Sequence, residues 1–153
     1  MVPRRSPADE VPFPALLRSA RNAYGAAIRR ALSEAGFVDM PRSGPYVIGA
    51  ISRSSAQLAE IIEGLGVTKQ AAGQLVDTLV LRGYIDRSVD SEDRRRLTVA
   101  LTARGRAAAA ITRATVERLD AELLKRVGAE RLAHARATLF ALHELSRSSE
   151  PNA

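Results

Sequence analysis

Leu65-Gly66-Val67-Thr68-Lys69-Gln70, followed by Leu75-Val76-Asp77-Thr78-Leu79, by Arg82-Gly83-Tyr84 and by Asp90-Ser91-Glu92-Asp93-Arg94-Arg95-Arg96, is the stretch that decides the fold. Thr68 is of the residue type whose hydroxyl caps a helix start, and Ala71, Ala72, Leu75, Val76 and Leu79 recur behind it at spacings of three and four. That pattern predicts a helix from Thr68 with those five residues turned inward and Gly83 as its stop. Beyond Gly83 the period changes to two. Residues 84–87 read as a short strand, and Leu97, Val99 and Leu101 alternate with Thr98 and Ala100 in a second. The segment between is too polar to pack inside and is expected to protrude as a hairpin tip.

Working toward the N-terminus, Ser52, Ser54 and Ser55 offer a cap for a helix carrying Leu58, Ile61, Ile62 and Leu65, with Gly64 and Gly66 at its end. Residues 58–101 therefore run helix, tight turn, helix, hairpin. Such a helix pair can set its second helix in a DNA major groove while a basic hairpin reaches the adjacent minor groove. If Val67, Ala72 and Leu75 pack on Ile61, Ile62 and Leu65, the second helix turns Thr68, Lys69, Gln70, Gly73, Gln74 and Asp77 outward. Gln70 and Gln74, one turn apart, suit adenine edges, and Gly73 lets backbone approach closely. Taken alone, the same face also fits an ordinary solvated helix.

The flanks read as helical scaffold. Prolines 3, 7, 12 and 14 make residues 1–13 a flexible arm, after which Leu16, Leu17, Ala20, Tyr24, Ala27, Ile28, Ala31 and Leu32 mark an amphipathic helix ending near Gly36. A short helix over 45–51 follows, with Tyr46, Val47, Ile48 and Ile51 as its apolar surface. Downstream, Thr102 caps a helix reaching about residue 127, some ~36 Å long at 1.5 Å per residue. Gly128 ends it. A last helix over about 130–147 repeats Leu132, Ala135, Leu139, Leu142 and Leu145, and 148–153 is a polar, flexible tail.

Composition narrows the chemistry. The 153 residues carry a net charge of +6 and no cysteine, which removes disulfides, thiol nucleophiles, thiol switches and Cys-ligated zinc. With no Trp, three Tyr and three Phe there are few platforms for stacking single-stranded bases. Nearly all the positive charge is arginine, whose planar fork suits phosphate and guanine. The positive excess falls in residues 1–34 and 68–106. No apolar run spans a membrane and no apolar segment follows Arg4 and Arg5, so the expectation is a cytoplasmic protein with no membrane partner.

The quoted segments, together with Leu101-Thr102-Ala103-Arg104-Gly105, resemble in order and spacing the MarR family of bacterial transcriptional regulators. The close match covers about residues 58–106; the flanking helices fit by length and pattern. The resemblance implies a mainly α fold with a small β-hairpin wing, in which a winged helix-turn-helix head (45–102) is joined to a helical dimerisation region (14–35 and 103–147) within one domain (14–147). It also implies that Asp93 and Arg95 fill the Asp-x-Arg wing motif, Arg95 entering the minor groove and Asp93 orienting it, with Arg94 and Arg96 beside them. One departure is Ile62, which stands where the family has a small alanine.

The expected function is thus a sequence-specific regulator of double-stranded DNA, a homodimeric repressor acting at a pseudo-palindromic operator. An architectural DNA-binding protein and a winged-helix protein-interaction module are the alternatives. The family's effectors lie where dimer helices meet the head, which draws Tyr24, Ile28, Phe37, Tyr46 and Ile111 together as a candidate site for a small apolar or phenolic ligand. His134 and His143, nine positions apart on one helix, fall on opposite faces and cannot share a metal ion within one chain. No serine has the companions of a triad and no glycine-rich loop cradles a phosphate, so neither an enzyme nor a cofactor is expected.

Overall fold

The computed structural model describes residues 10–53, 68–89 and 97–148. The chain divides into two compact units, Met1–Val116 and Glu117–Ala153. In the first unit, α1 (Phe13–Glu34) is followed by α2 (Gly44–Arg53), α3 (Lys69–Leu81), β1 (Ile85–Val89), β2 (Leu97–Leu101) and the first part of α4 (Ala103–Val127). The second contains the rest of α4 and α5 (Ala129–Ser148).

The sequence patterns account for these elements. Pro12 and Pro14 open α1, where a missing N–H costs nothing, and Gly36 follows its end. Thr68 caps α3, its Oγ1 accepting from Ala71 N at 3.2 Å. Gly83, at φ 69°, supplies the left-handed residue that stops α3 and turns the chain into β1. Thr102 caps α4, its hydroxyl accepting from Gly105 N at 3.0 Å and donating to Gly83 O at 2.6 Å. The expected strand at 84–87 begins and ends later, at Ile85–Val89; Tyr84 N instead closes the end of α3, donating to Leu79 O at 2.9 Å. β1 and β2 pair antiparallel, with Ile85 opposite Leu101 and Val89 opposite Leu97.

One core holds the first unit together. Leu32 of α1, Val47 and Ile48 of α2, Val76 and Leu79 of α3, Tyr84, Ile85 of β1, and Ala108 and Ala109 of α4 form a continuous buried cluster. Where they meet in this cluster the apolar stripes cover one another, which is what makes helices of ordinary propensity stable. The inward stripe of α3 is narrower than its sequence implied: Ala72, Val76 and Leu79 are buried, whereas Ala71 is exposed. Ala71 lies a full 100° from Ala72 around the helix, and its methyl group loses little by facing water. The expected helix carrying Leu58, Ile61, Ile62 and Leu65 lies outside the described residues.

In the second unit, Arg136 and Asp120 are 3.2 Å apart and Arg126 pairs with Glu122 one turn away at 3.1 Å. Of the apolar repeat of α5, Leu132 is half-buried whereas Leu139, Leu142 and Leu145 are exposed, as is Phe140 beside them. Among the described residues no helix is long and apolar enough to cross a membrane, and no cluster of metal-ligating side chains occurs.

Candidate nucleic-acid interface

On the face of α3 opposite its buried stripe Gln70 and Gln74 are exposed, and at its flank Lys69 is exposed and Gly73 half-buried, with Thr68 exposed at the cap. A glycine inside a helix costs about 0.5–1 kcal/mol relative to alanine. Among the described residues nothing lies within 4 Å of where a Gly73 Cβ would stand, so none of them requires the glycine. The helix presents an amide-bearing strip with a bare backbone patch at its centre. Asp77, read as part of that outward set, is exposed but pairs with Arg87 of β1 at 2.8 Å. This bridge ties the helix to the first strand of the hairpin. Asp93, Arg94, Arg95 and Arg96 lie outside the described residues, in the connection between the paired ends Val89 and Leu97.

Behind the hairpin is a polar node that the linear sequence did not reveal. The Tyr84 hydroxyl donates to Asp39 Oδ1 at 2.6 Å, and Arg104 Nη2 reaches the same oxygen at 2.8 Å. Arg82 donates through its guanidinium to the Asp39 carbonyl, and Arg104 Nη1 donates to the Arg82 carbonyl at 2.5 Å. The Arg104 guanidinium also stacks over the Tyr84 ring, 4.4 Å from its centroid. Three chain segments are thereby fixed to one another: the loop after α1, the end of α3 with the start of β1, and the first turn of α4.

The node sets its own protonation. The hydrogen bond from Tyr84, helped by the Arg104 charge, holds the Asp39 carboxyl below its ordinary value of 3.8, while burial and the bond to Asp39 push the Tyr84 hydroxyl up to about 12. For Asp39, whose folded pKa is depressed, the stabilisation is complete above about pH 4 and is lost as pH falls through the lowered folded value. For Tyr84, whose folded pKa is raised, it is complete below about pH 10 and is lost as pH rises toward 12. Tyr84→Phe, which keeps the ring and deletes the hydroxyl, is expected to lose about 1–2 kcal/mol at pH 7 in urea titration and to show a shallower loss of stability below pH 4. A variant that matches the parent at both pH values contradicts this account of the node.

Of the residues proposed for a ligand, Ile28, Phe37 and Ile111 pack against the core cluster of the first unit. Ile28 and Tyr46 line one groove between α1 and α2, but Tyr24, Phe37 and Ile111 are not among its walls. Phe37 instead packs its ring against Tyr84, with centroids 6.2 Å apart, and Ile111 lies against the core of the first unit. Both are half-buried there.

Residues 38–96 match the model of the MarR family. No curated protein sequence matches the chain. Among solved structures, the apo form of wild-type MarR from E. coli is similar at 23% identity and a TM-score of 0.62, over 86% of this chain and 96% of that one. The MepR–DNA complex of S. aureus is similar at 18% identity and a TM-score of 0.73, over 88% and 98%. Streptococcus pneumoniae FabT in complex with DNA is similar at 19% identity and a TM-score of 0.75, over 90% and 97%. The capped helix α3 and strand β1 described above sit in the matched segment, and over at least 86% of its length the chain has the fold of these solved structures.

Proposed function

We propose that the chain is a sequence-specific, double-stranded DNA-binding transcription regulator, working as a homodimeric repressor that a small-molecule effector releases. The observation that carries this reading is the outer face of α3, where Lys69, Gln70 and Gln74 surround a Gly73 that no described neighbour requires. Backbone can approach a base edge there, and paired amides can donate and accept at adenine. The similar structures of MepR and FabT, each with DNA, support the same use of the fold.

In this reading residues 45–102 form the head and 14–35 with 103–147 the dimerisation helices, flanked by arms at 1–13 and 148–153. The uncovered apolar residues favour a second copy as the missing cover: Phe13 at 50% exposure on α1, and Phe140 at 61% and Leu145 at 65% on α5. Sedimentation equilibrium at micromolar concentration is expected to give twice the chain mass, and a stable monomer contradicts the proposal. Two heads on a two-fold axis then need half-sites about 34 Å apart, or one helical turn.

Competition gel shifts with the gene's own upstream DNA test the function. Retention of a discrete complex under excess non-specific duplex supports specific regulation; loss of it favours an architectural role, and absence of any complex favours a protein-interaction module. In the wing, Arg95→Ala is expected to weaken operator binding and flatten a preference for A·T-rich flanks, with a salt slope shallower by about one unit. Asp93→Ala is expected to weaken binding less strongly, although removing an acid should strengthen it on charge alone. Tighter binding by Asp93→Ala contradicts an orienting role for that carboxylate.

A further inference from the structure

The groove between α1 and the start of α2 has a volume of about 1040 Å³, and its charge is one-sided. Arg18, Arg21 and Arg29 of α1 and Arg42 of the following loop line it, with no acidic side chain among its walls in the described residues. All four are exposed, and none is ion-paired among the described residues. Guanidinium groups gathered around one concavity repel one another, and that repulsion is relieved when an anion enters. The groove is also given room. Gly25, within α1, lines it without a side chain of its own, 3.1 Å separating the place of a Cβ there from the mobile end of Arg29. Leu17, Ile28 and the Tyr46 ring add an apolar wall.

We propose that this groove binds a small phosphorylated molecule carrying at least two negative charges next to an apolar or aromatic body. Guanidinium forks match phosphate oxygens in bidentate geometry, and several forks require several oxygens, which a singly charged phenol or carboxylate does not offer. The inference rests on the effector reading above and changes its chemistry from apolar or phenolic to polyanionic. It also gives the site an outlet: Arg42 stands three residues after Asp39, whose carboxylate holds Tyr84 and Arg104. An occupant that draws Arg42 inward acts on the loop anchoring the end of α3 and the start of β1.

Isothermal titration of the full chain, without DNA and at constant ionic strength, tests the proposal with pyrophosphate, ATP and salicylate as probes. Pyrophosphate and ATP are expected to saturate at one per chain, both at least about tenfold tighter than salicylate. Arg21→Gln/Arg42→Gln should weaken them at least about tenfold, whereas the charge-matched Arg118→Gln/Arg131→Gln should not. All four positions are exposed, and thermal melting verifies that the variants are folded. The proposal is overturned by absence of saturable binding, by equal loss in both double variants, or by salicylate binding as tightly as pyrophosphate. It is overturned equally if Arg21→Gln/Arg42→Gln weakens only duplex DNA, which makes the groove a backbone contact. Because the titration contains no DNA, a failure of operator binding leaves its outcome readable.

Discussion

Gly105→Ala is expected to destabilise the protein by roughly 3 kcal/mol or more and to lower its melting temperature by about 6 to 12 °C. Gly105 is buried in the first turn of α4, and a Cβ built on it stands 1.9 Å from the Tyr84 carbonyl oxygen and 3.0 Å from its carbon. Neither partner can step aside. The Tyr84 carbonyl accepts from Thr102 N and from Thr102 Oγ1, each at 3.2 Å, its N–H donates to Leu79 O at 2.9 Å, and its side chain is fully buried against the core. On the other side, Gly105 N is held by the Thr102 hydroxyl at 3.0 Å. Accommodating one methyl group therefore means opening the cap of α4 or displacing the start of β1. Thermal unfolding followed by circular dichroism measures the loss; a melting temperature within about 2 °C of the parent contradicts the packing described here.

The second large effect concerns recognition. Gln70→Ala and Gln74→Ala are each expected to reduce discrimination between operator and mutated operator by about 1 to 3 kcal/mol, and to change affinity for unrelated duplex much less. Both side chains lie on the exposed face of a helix whose other face is fixed by Ala72, Val76 and Leu79, so truncating them removes contacts to a partner without disturbing the core. The Asp77–Arg87 bridge and the Thr68 cap are left in place to hold the helix. Lys69, near the positive end of α3, is expected to behave differently: its loss should weaken binding to all duplexes alike if it serves phosphate. Fluorescence anisotropy on matched and mismatched duplexes separates the two behaviours. Glutamine variants that discriminate as the parent does show that another face reads the DNA.

Much of the head could be read from sequence because its elements are written in periodicity and in end signals. Thr68, Gly83, Thr102 and Gly128 mark boundaries through backbone chemistry that operates within a few residues. Ala71 was misplaced because alanine is equally at ease on either side of a helix, so a stripe widened by alanines has no sharp edge. The Asp39–Tyr84–Arg104 node was illegible for another reason: its members are separated by 45 and 65 positions, and polar pairs leave no period behind.

The ligand region shows the same limit. Phe37 and Ile111 pack against the core, and the groove between α1 and α2 has Arg18, Arg21, Arg29 and Arg42 among its walls, which in sequence look like solvated surface. Only their arrangement around one concavity distinguishes them.

Specific recognition is read most directly from the ratio of dissociation constants for a scrambled duplex and for the gene's own upstream DNA, measured at about 0.15 M salt with the full chain. Specific recognition through α3 predicts a ratio of about 10³ or more, concentrated in a footprint with two half-sites one helical turn apart. A ratio near one, with binding that follows salt concentration alone, contradicts it.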